Sequence, residues 1–344
     1  MVLDRRRDPT AADPSPPEPA LVTFDDIRAA AGRLRGIALH TPLVTFDAGP
    51  PPILLKAESL QPIGAFKIRG AYNAIAQLSE EERARGVVTH SSGNHAQGVA
   101  RAARLLGVRA TVVMPEDAPS IKRARVEADG ATIVTVGVES GAREEMASRL
   151  VAERDLILIP PYDDDRVIAG QGTCGLEIAE DVPDLALVLV PIGGGGLASG
   201  VAAAVQAVRP DARIVGVEPE LAADAAESLE LGRIVRWDGQ ATARTMADGT
   251  RTQAIGARPF AHLSRLLDGV MTVSEAEIAR AVGLAAERSR LVVEPSGALA
   301  IAAAAFHAEE LGFGSLTGTV VAVVSGGNVD PERYRSLLAA PGSG

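Results

Sequence analysis

The chain has 344 residues, 47% of them hydrophobic and 23% charged, with a formal net charge of −10 and a pI near 5.1. That balance is ordinary for a globular protein with a substantial core. It lacks the basic footprint needed to bind a phosphate backbone, so no nucleic-acid partner is expected. No apolar run approaches the roughly 20 residues that span a bilayer, and a single cysteine, Cys174, excludes an intrachain disulfide or a cysteine metal cluster.

Residues 1–20 carry basic residues, prolines and acids but no apolar segment of a secretory signal. They read as a disordered leader on a cytoplasmic protein. Beyond them strand-like runs alternate with alanine-rich helical runs. ILLKAE, GVVTHS, RATVVMP, ATIVTVG, LILIPP, LALVLVPI, ARIVGVEP and GTVVAVVSGG are short and rich in β-branched residues. YNAIAQLSEEERARG, HAQGVARAARLLG, SIKRARVEADG, AREEMASRLVAERD, LASGVAAAVQAVRP and SEAEIARAVGLAAERS lie between them. Gly107, Gly130 and Pro210 supply stop signals after helical runs. Continuous apolar strands separated by amphipathic helices predict an α/β fold of two open, twisted, mostly parallel sheets flanked by helices. The expected large domain covers 21–85 and 164–344, with a small domain of 86–163 inserted in it. Few residues follow the last strand, so no C-terminal regulatory domain is expected.

Lysine is scarce: Lys56, Lys67 and Lys122 stand beside 31 arginines. Only lysine can become a neutral amine in a protein, so chemistry of that kind has three candidates. Lys67 lies in LQPIGAFKIRGAYNAI, between Phe66 and Ile68 at the start of a helical run. Desolvation there would favour the neutral, nucleophilic form that a Schiff-base lysine needs. The plainer alternative is a lysine that extends its amine to solvent.

In THSSGNHAQGVARAA a strand runs through a polar turn into a helix. Ser91, Ser92, Gly93, Asn94 and His95 place hydroxyls, an amide and backbone N–H groups at a helix N-terminus, suited to a carboxylate or a phenolic oxygen. A simple capping turn is the alternative. His95 has no second histidine at metal-ligating spacing.

Further on, LALVLVPI is followed by Gly193, Gly194, Gly195 and Gly196 and then by a helix. Glycines let the backbone approach an anion, and the helix N-terminus offers N–H groups and a positive dipole end. A phosphate is the natural guest, but no lysine follows at P-loop spacing. Gly193, Gly195 and Ala198 also fit a dinucleotide fingerprint, with Glu218 near the position of a ribose-binding acid, so a nicotinamide dehydrogenase is a rival. Lastly, VVAVVSGGNVD puts Ser325 at the carboxyl end of a strand, where open α/β sheets bind ligands.

Together, GAFKIRGAYNAI, SSGNHAQGVA, VVMPEDAPSIKRARVEADGAT, VIAGQGTCGLEI, PIGGGGLASG, EPSGALA and VSGGNVD resemble the fold type II pyridoxal-phosphate enzymes, within the threonine dehydratase and serine racemase group. The resemblance spans Thr23 to Asp330 and displaces the dehydrogenase. It implies that Lys67 holds the cofactor and removes the substrate Cα proton, and that Gly193–Gly196 hold the phosphate. Asn94 would bond the phenolic oxygen and Ser325 would face the ring nitrogen, with Phe66 and Glu294 completing the cofactor contacts. Ser91, Ser92, Gly93, Asn94 and His95 would cradle the substrate carboxylate, helped by Arg143. Ser92 would also be catalytic, returning a proton on the face opposite Lys67. EPELAAD resembles the metal loop of the racemase branch, with Glu218, Asp224 and the Ala222 carbonyl as oxygen ligands for Mg2+ or Ca2+; an acidic surface loop is the alternative. The implied reaction converts L-threonine or L-serine to a 2-oxo acid and ammonium in a homodimer. A serine racemase or a 3-hydroxyaspartate dehydratase is the runner-up, and an amino-acid sensor without turnover is the reading from another class.

Overall fold

A computed structural model of the chain describes residues 20–91, 93–118, 120–137 and 141–339. The expected leader, apart from Ala20, and the catalytic candidate Ser92 lie outside the described residues. Ten strands are found among them: β1 (Leu43–Thr45), β2 (Ile53–Ala57), β3 (Val87–His90), β4 (Ala110–Pro115), β5 (Thr132–Val136), β6 (Ile157–Leu158), β7 (Leu185–Pro191), β8 (Arg213–Pro219), β9 (Gly269–Val273) and β10 (Thr319–Val324). They form a six-stranded sheet in the order β1-β2-β10-β7-β8-β9 and a four-stranded sheet in the order β5-β4-β3-β6. Only the β1–β2 pairing is antiparallel.

All eight strand runs read from the sequence appear. β1 and β9 were not foreseen: each is short and stands at a sheet edge, where pairing rather than composition makes the strand. In the middle of the large sheet every residue of β10 is buried. That burial explains its continuous apolar sequence, since helices cover both faces.

The run YNAIAQLSEEERARG is two helices. Lys67–Ala76 ends before Ser79, whose hydroxyl accepts the Glu82 N–H while the Glu82 carboxylate accepts the Ser79 N–H. This reciprocal cap starts the second helix, Glu80–Arg85, and outweighs the continuous helical propensity of the run. The helix Pro295–Phe306 escaped the sequence reading because it is apolar all round. Ten of its residues, Pro295 through Ala304, are buried, and it packs on β7, β8, β9 and β10.

Helices Asp165–Asp181 and Gly196–Val208 pack through glycine. A Cβ on Gly175 would lie 2.7 Å from the Val201 Cα, and one on Gly200 would strike the backbone of Ile168 and Gly172. Gly172 and Gly175 of VIAGQGTCGLEI therefore belong to this helix–helix contact, while Gly170 lies against Arg69 and Gly70 of the helix Lys67–Ala76. The apolar cluster around the smaller sheet continues into Ile63, Ile68 and Ala71 and into Val167, so packing crosses residues 85 and 164.

Candidate active site

The parallel strands of the large sheet end together, with Ala57 of β2 beside Val324 of β10. The chain after each such end can reach one crevice, the usual ligand position in open α/β sheets. After β10 comes Ser325; after β2 comes the turn that leads to Lys67. The two are joined directly, since the Phe66 N–H donates to the Ser325 carbonyl at 3.1 Å and Ala65 forms a bridge with Gly326.

Lys67 is the first residue of the helix Lys67–Ala76. Its Nζ donates to the Pro161 carbonyl at 2.7 Å and lies 5.0 Å from the centre of the Phe66 ring. Burial pulls the amine down to about 8, because the charged form loses solvation it does not recover in this setting. The next residue after Pro161 is Tyr162, whose ring blocks the space a Cβ on Gly194 would need. Pro161 and Tyr162 thus link the lysine to the glycine turn, and neither was singled out from the sequence.

In that turn Gly195 has φ +90°, and a Cβ on it would lie 2.6 Å from Pro259 Cβ. Side chains are therefore excluded from Gly194 and Gly195. The turn enters the helix Gly196–Val208 with no side-chain cap. The first-turn N–H groups of a helix have no intrahelical acceptor, so a phosphate ester fits this cradle by charge and by size.

Asn94 opens the helix Asn94–Leu106, whose N-cap Gly93 makes no side-chain cap bond. The Ser91 hydroxyl accepts the Gly93 N–H at 3.3 Å. The Asn94 amide donates to Glu294 Oε1 at 2.6 Å and accepts from Asn328 Nδ2 at 2.8 Å. Burial, with the Asp248 charge adding to it, raises the Glu294 carboxyl to about 7. Ser325 Oγ donates to the Ser296 carbonyl at 3.4 Å, which leaves a neutral hydroxyl where the ring nitrogen is expected.

His95 is 2% exposed, and its Nε2 donates to the Ile159 carbonyl at 3.0 Å. Burial, reinforced by the Lys67 charge, drives the imidazole down to about 3. It is neutral at ordinary pH and brings no positive charge to a substrate carboxylate; its backbone N–H is the part that can serve there. Arg143, in the first turn of the helix Ala142–Arg154, lies near enough to His90 to oppose its protonation. That places it close to the Ser91 turn.

The expected metal residues lie at and just beyond the end of β8, the strand beside β7, whose own end leads into the glycine turn. Glu218 and Asp224 are both fully buried. Glu218 accepts the N–H groups of Ala225 and Ala226 at 3.1 and 2.7 Å, so it caps the helix Asp224–Leu231. It is not a surface acid, which removes the acidic-loop alternative. Asp224 Oδ1 accepts from Thr252 at 3.3 Å, while Oδ2 is buried without a partner. Burial raises both carboxyls, Asp224 to about 7. Among the described residues no group of three or more His, Cys, Asp or Glu side chains could hold a metal ion.

A cluster that sequence reading missed underlies the lysine helix. Arg69 is 1% exposed and makes paired bonds to Glu58, at 2.7 and 2.7 Å, and to Glu177, at 2.6 and 2.8 Å. Lys56 Nζ reaches Glu177 at 2.6 Å and the Thr41 carbonyl at 2.7 Å. Lys56 is thereby engaged in structure, and Lys122 pairs with Asp248 at 2.7 Å. Of the three lysines, Lys67 alone has no carboxylate partner among the described residues.

The pattern that defines the pyridoxal-phosphate dependent enzymes matches residues 35–326. The chain belongs to that family. It is 42% identical over 326 residues to an L-threo-3-hydroxyaspartate ammonia-lyase of Saccharomyces cerevisiae, covering 94% of this chain and 98% of that protein. It is 40% identical over 323 residues to a serine racemase of Schizosaccharomyces pombe, covering 93% and 98%. Among solved structures, the processed form of threonine deaminase isoform 2 from Solanum lycopersicum superposes with a TM-score of 0.85 at 34% identity, covering 96% and 93%. The chain is accordingly a pyridoxal-phosphate-dependent carbon–nitrogen lyase of fold type II. Among the described residues no helix is long and apolar enough to cross a membrane.

Proposed function

We propose that this lyase removes water and ammonia from a β-hydroxy-α-amino acid, L-serine or L-threonine, releasing a 2-oxo acid and ammonium. The observation that carries the reading is the buried amine of Lys67, held by the Pro161 carbonyl and lowered to about 8, with its neighbour Phe66 bonded to Ser325. Bound pyridoxal phosphate supplies the electron sink that makes a Cα–H bond acidic. Lys67 anchors that group, and its amine, partly neutral near pH 8, accepts the Cα proton. The glycine turn holds the phosphate and Asn94 bonds the ring oxygen. Ser325 would offer the ring nitrogen a neutral hydroxyl and no acidic proton, which gives a weak sink suited to a substrate whose β-hydroxyl can leave. Ser91, Gly93 and the backbone at Asn94 and His95 take the substrate carboxylate, with Arg143 nearby. Residues 86–163 form a smaller domain inserted in the large one, the protein is a homodimer, and it works in the cytoplasm.

Glu218 and Asp224, with the Ala222 carbonyl, fit a hard cation such as Mg2+ or Ca2+: both carboxyls are buried and one Asp224 oxygen has no partner. A second substrate reading, L-threo-3-hydroxyaspartate, is favoured by the 42% identity to the yeast enzyme over almost its full length. Racemisation of serine is favoured by the 40% identity to the S. pombe racemase.

The test is a panel of L- and D-serine, L-threonine, the 3-hydroxyaspartate isomers and L-alanine, with ammonium, oxo acid and chirality all assayed. Ammonium from the β-hydroxy substrates and none from alanine is expected. No ammonium from any of them would end the proposal, and the ranking of rates decides between the two substrate readings.

A further inference from the structure

Four side chains form a hydrogen-bonded series with a fixed direction. Arg125 Nη1 donates to Asn328 Oδ1 at 2.6 Å, Asn328 Nδ2 donates to Asn94 Oδ1 at 2.8 Å, and Asn94 Nδ2 donates to Glu294 Oε1 at 2.6 Å. Asn328 Nδ2 also donates to the Ile63 carbonyl at 2.8 Å. The series starts at a group that can only donate, since a guanidinium has no acceptor.

That start and the Ile63 carbonyl, which can only accept, together set the orientation of the Asn328 amide. Were the Asn328 amide turned over, its N–H groups would face the guanidinium and its oxygen would face the Ile63 carbonyl. Both contacts would then be unpaired and partly buried, at about 1–3 kcal/mol for each lost partner. With Asn328 held, Asn94 must turn its oxygen toward Asn328 and its N–H groups the other way. One of those N–H groups goes to Glu294, and the second is left for an acceptor in the crevice. A carboxamide without such a neighbour can present either end.

The members come from both sheets. Arg125 belongs to the helix Ser120–Ala128, packed on β5 and on the helix Asn94–Leu106, whereas Asn328 follows β10 and Glu294 precedes the helix Pro295–Phe306. Gly64, at φ +73°, leaves the room that Asn328 occupies, for a Cβ there would collide with its carboxamide. The Gly327 N–H bonds the Gly64 carbonyl at 2.9 Å and keeps this turn against the Lys67 segment.

We infer that Arg125 is a positioning residue: acting through Asn328, it fixes which end of the Asn94 amide faces the cofactor's ring oxygen. It thereby couples that hydrogen bond to the seating of the helix Ser120–Ala128 against the large sheet. The inference rests on the reading that Asn94 contacts the cofactor.

The experiment uses the holoenzyme and follows the visible band of the bound cofactor across pH, together with cofactor affinity. Four variants are compared with the wild type: Arg125→Ala, Arg125→Lys, Asn328→Asp and Asn94→Ala. Arg125→Ala should move the pH midpoint of the band in the same direction as Asn94→Ala, by a smaller amount, and weaken cofactor binding about tenfold. Arg125→Lys, which keeps a donor, should restore most of the wild-type midpoint. Asn328→Asp presents oxygen to Asn94 and should invert its amide, matching Asn94→Ala in the spectrum. If Asn94→Ala shifts the band while Arg125→Ala and Asn328→Asp leave it unchanged, the positioning role is refuted and the cofactor contact of Asn94 stands. If Asn94→Ala itself changes nothing, the contact reading fails and the inference falls with it. Melting curves of each variant separate loss of fold from loss of orientation: a spectral shift that follows unfolding alone counts against the role.

Discussion

Lys67 Nζ and the Pro161 carbonyl, 2.7 Å apart, join the first residue of the helix that follows β2 to the loop that leaves β6 of the smaller sheet. The bond accounts for how an amine in a desolvated place is held ready without a carboxylate beside it. Such a carboxylate would raise the pKa, and here burial lowers it to about 8.

Lys67→Ala should therefore abolish the visible band of the bound cofactor and reduce ammonium release by at least about 10³-fold. Lys67→Arg should fail equally, because arginine keeps its proton. Circular dichroism should remain that of the wild type. Retained turnover in either variant would refute the assignment.

Arg69 is expected to be the most costly single substitution near the lysine helix. Burial alone would raise the Glu58 carboxyl, but the Arg69 guanidinium outweighs it and holds the group below its usual value. Arg69→Met removes that partner and leaves two carboxylates facing one remaining lysine. Breaking a buried pair in this way costs about 3–5 kcal/mol. Urea unfolding measures it, and a loss below about 1 kcal/mol would show that the cluster is readily rehydrated.

Glu294 gives a pH dependence of definite sign. Its carboxyl is raised from about 4.5 to about 7, so the folded cofactor-free protein favours the neutral form. The contribution to stability is full below the unfolded value near 4.5 and is lost as pH rises through about 7. Glu294→Gln keeps an acceptor for Asn94 without the ionisation. The melting temperature of the variant relative to wild type should rise between about pH 5 and about pH 8. A difference that stays flat across that range would mean the carboxyl is not perturbed.

Glu218 and Asp224 predict a response to divalent ions. EDTA should lower the melting temperature and Mg2+ or Ca2+ should restore it, since a hundredfold excess over Kd adds about 2.7 kcal/mol of stability. Asp224→Asn should erase the response. It is a better probe than Glu218→Ala, which would also uncap the helix Asp224–Leu231. Identical melting curves in EDTA and in Mg2+ would leave Glu218 as a helix cap and nothing more.

Ser92 separates elimination from racemisation. If its hydroxyl returns a proton opposite Lys67, the wild type interconverts L- and D-serine, and Ser92→Ala loses that activity by about 10²–10⁴-fold while retaining L-serine dehydration. Chiral chromatography reads both. A wild type that never forms D-serine retires the racemase reading.

Much of this protein was legible in its sequence because the signals are local. Strand, glycine turn and helix follow one another at Gly193–Gly196, and Lys67 stands among apolar neighbours at a helix start. β7 and β10 are apolar because they are covered on both faces, so their composition announces their place in the sheet. What only the tertiary structure decided is which distant groups meet. Nothing in the sequence around Lys56, Glu58, Arg69 and Glu177 announces a buried charge cluster, since burial of a charged residue depends on partners far along the chain. The glycines at 172, 175 and 200 read as neutral until two helices are seen to touch through them. Asn328 lay inside a recognised motif without a role, and Arg125 read as one arginine among many. Their bond spans 203 residues, and hydrogen-bond direction, unlike hydrophobic period, leaves no trace in the order of residues.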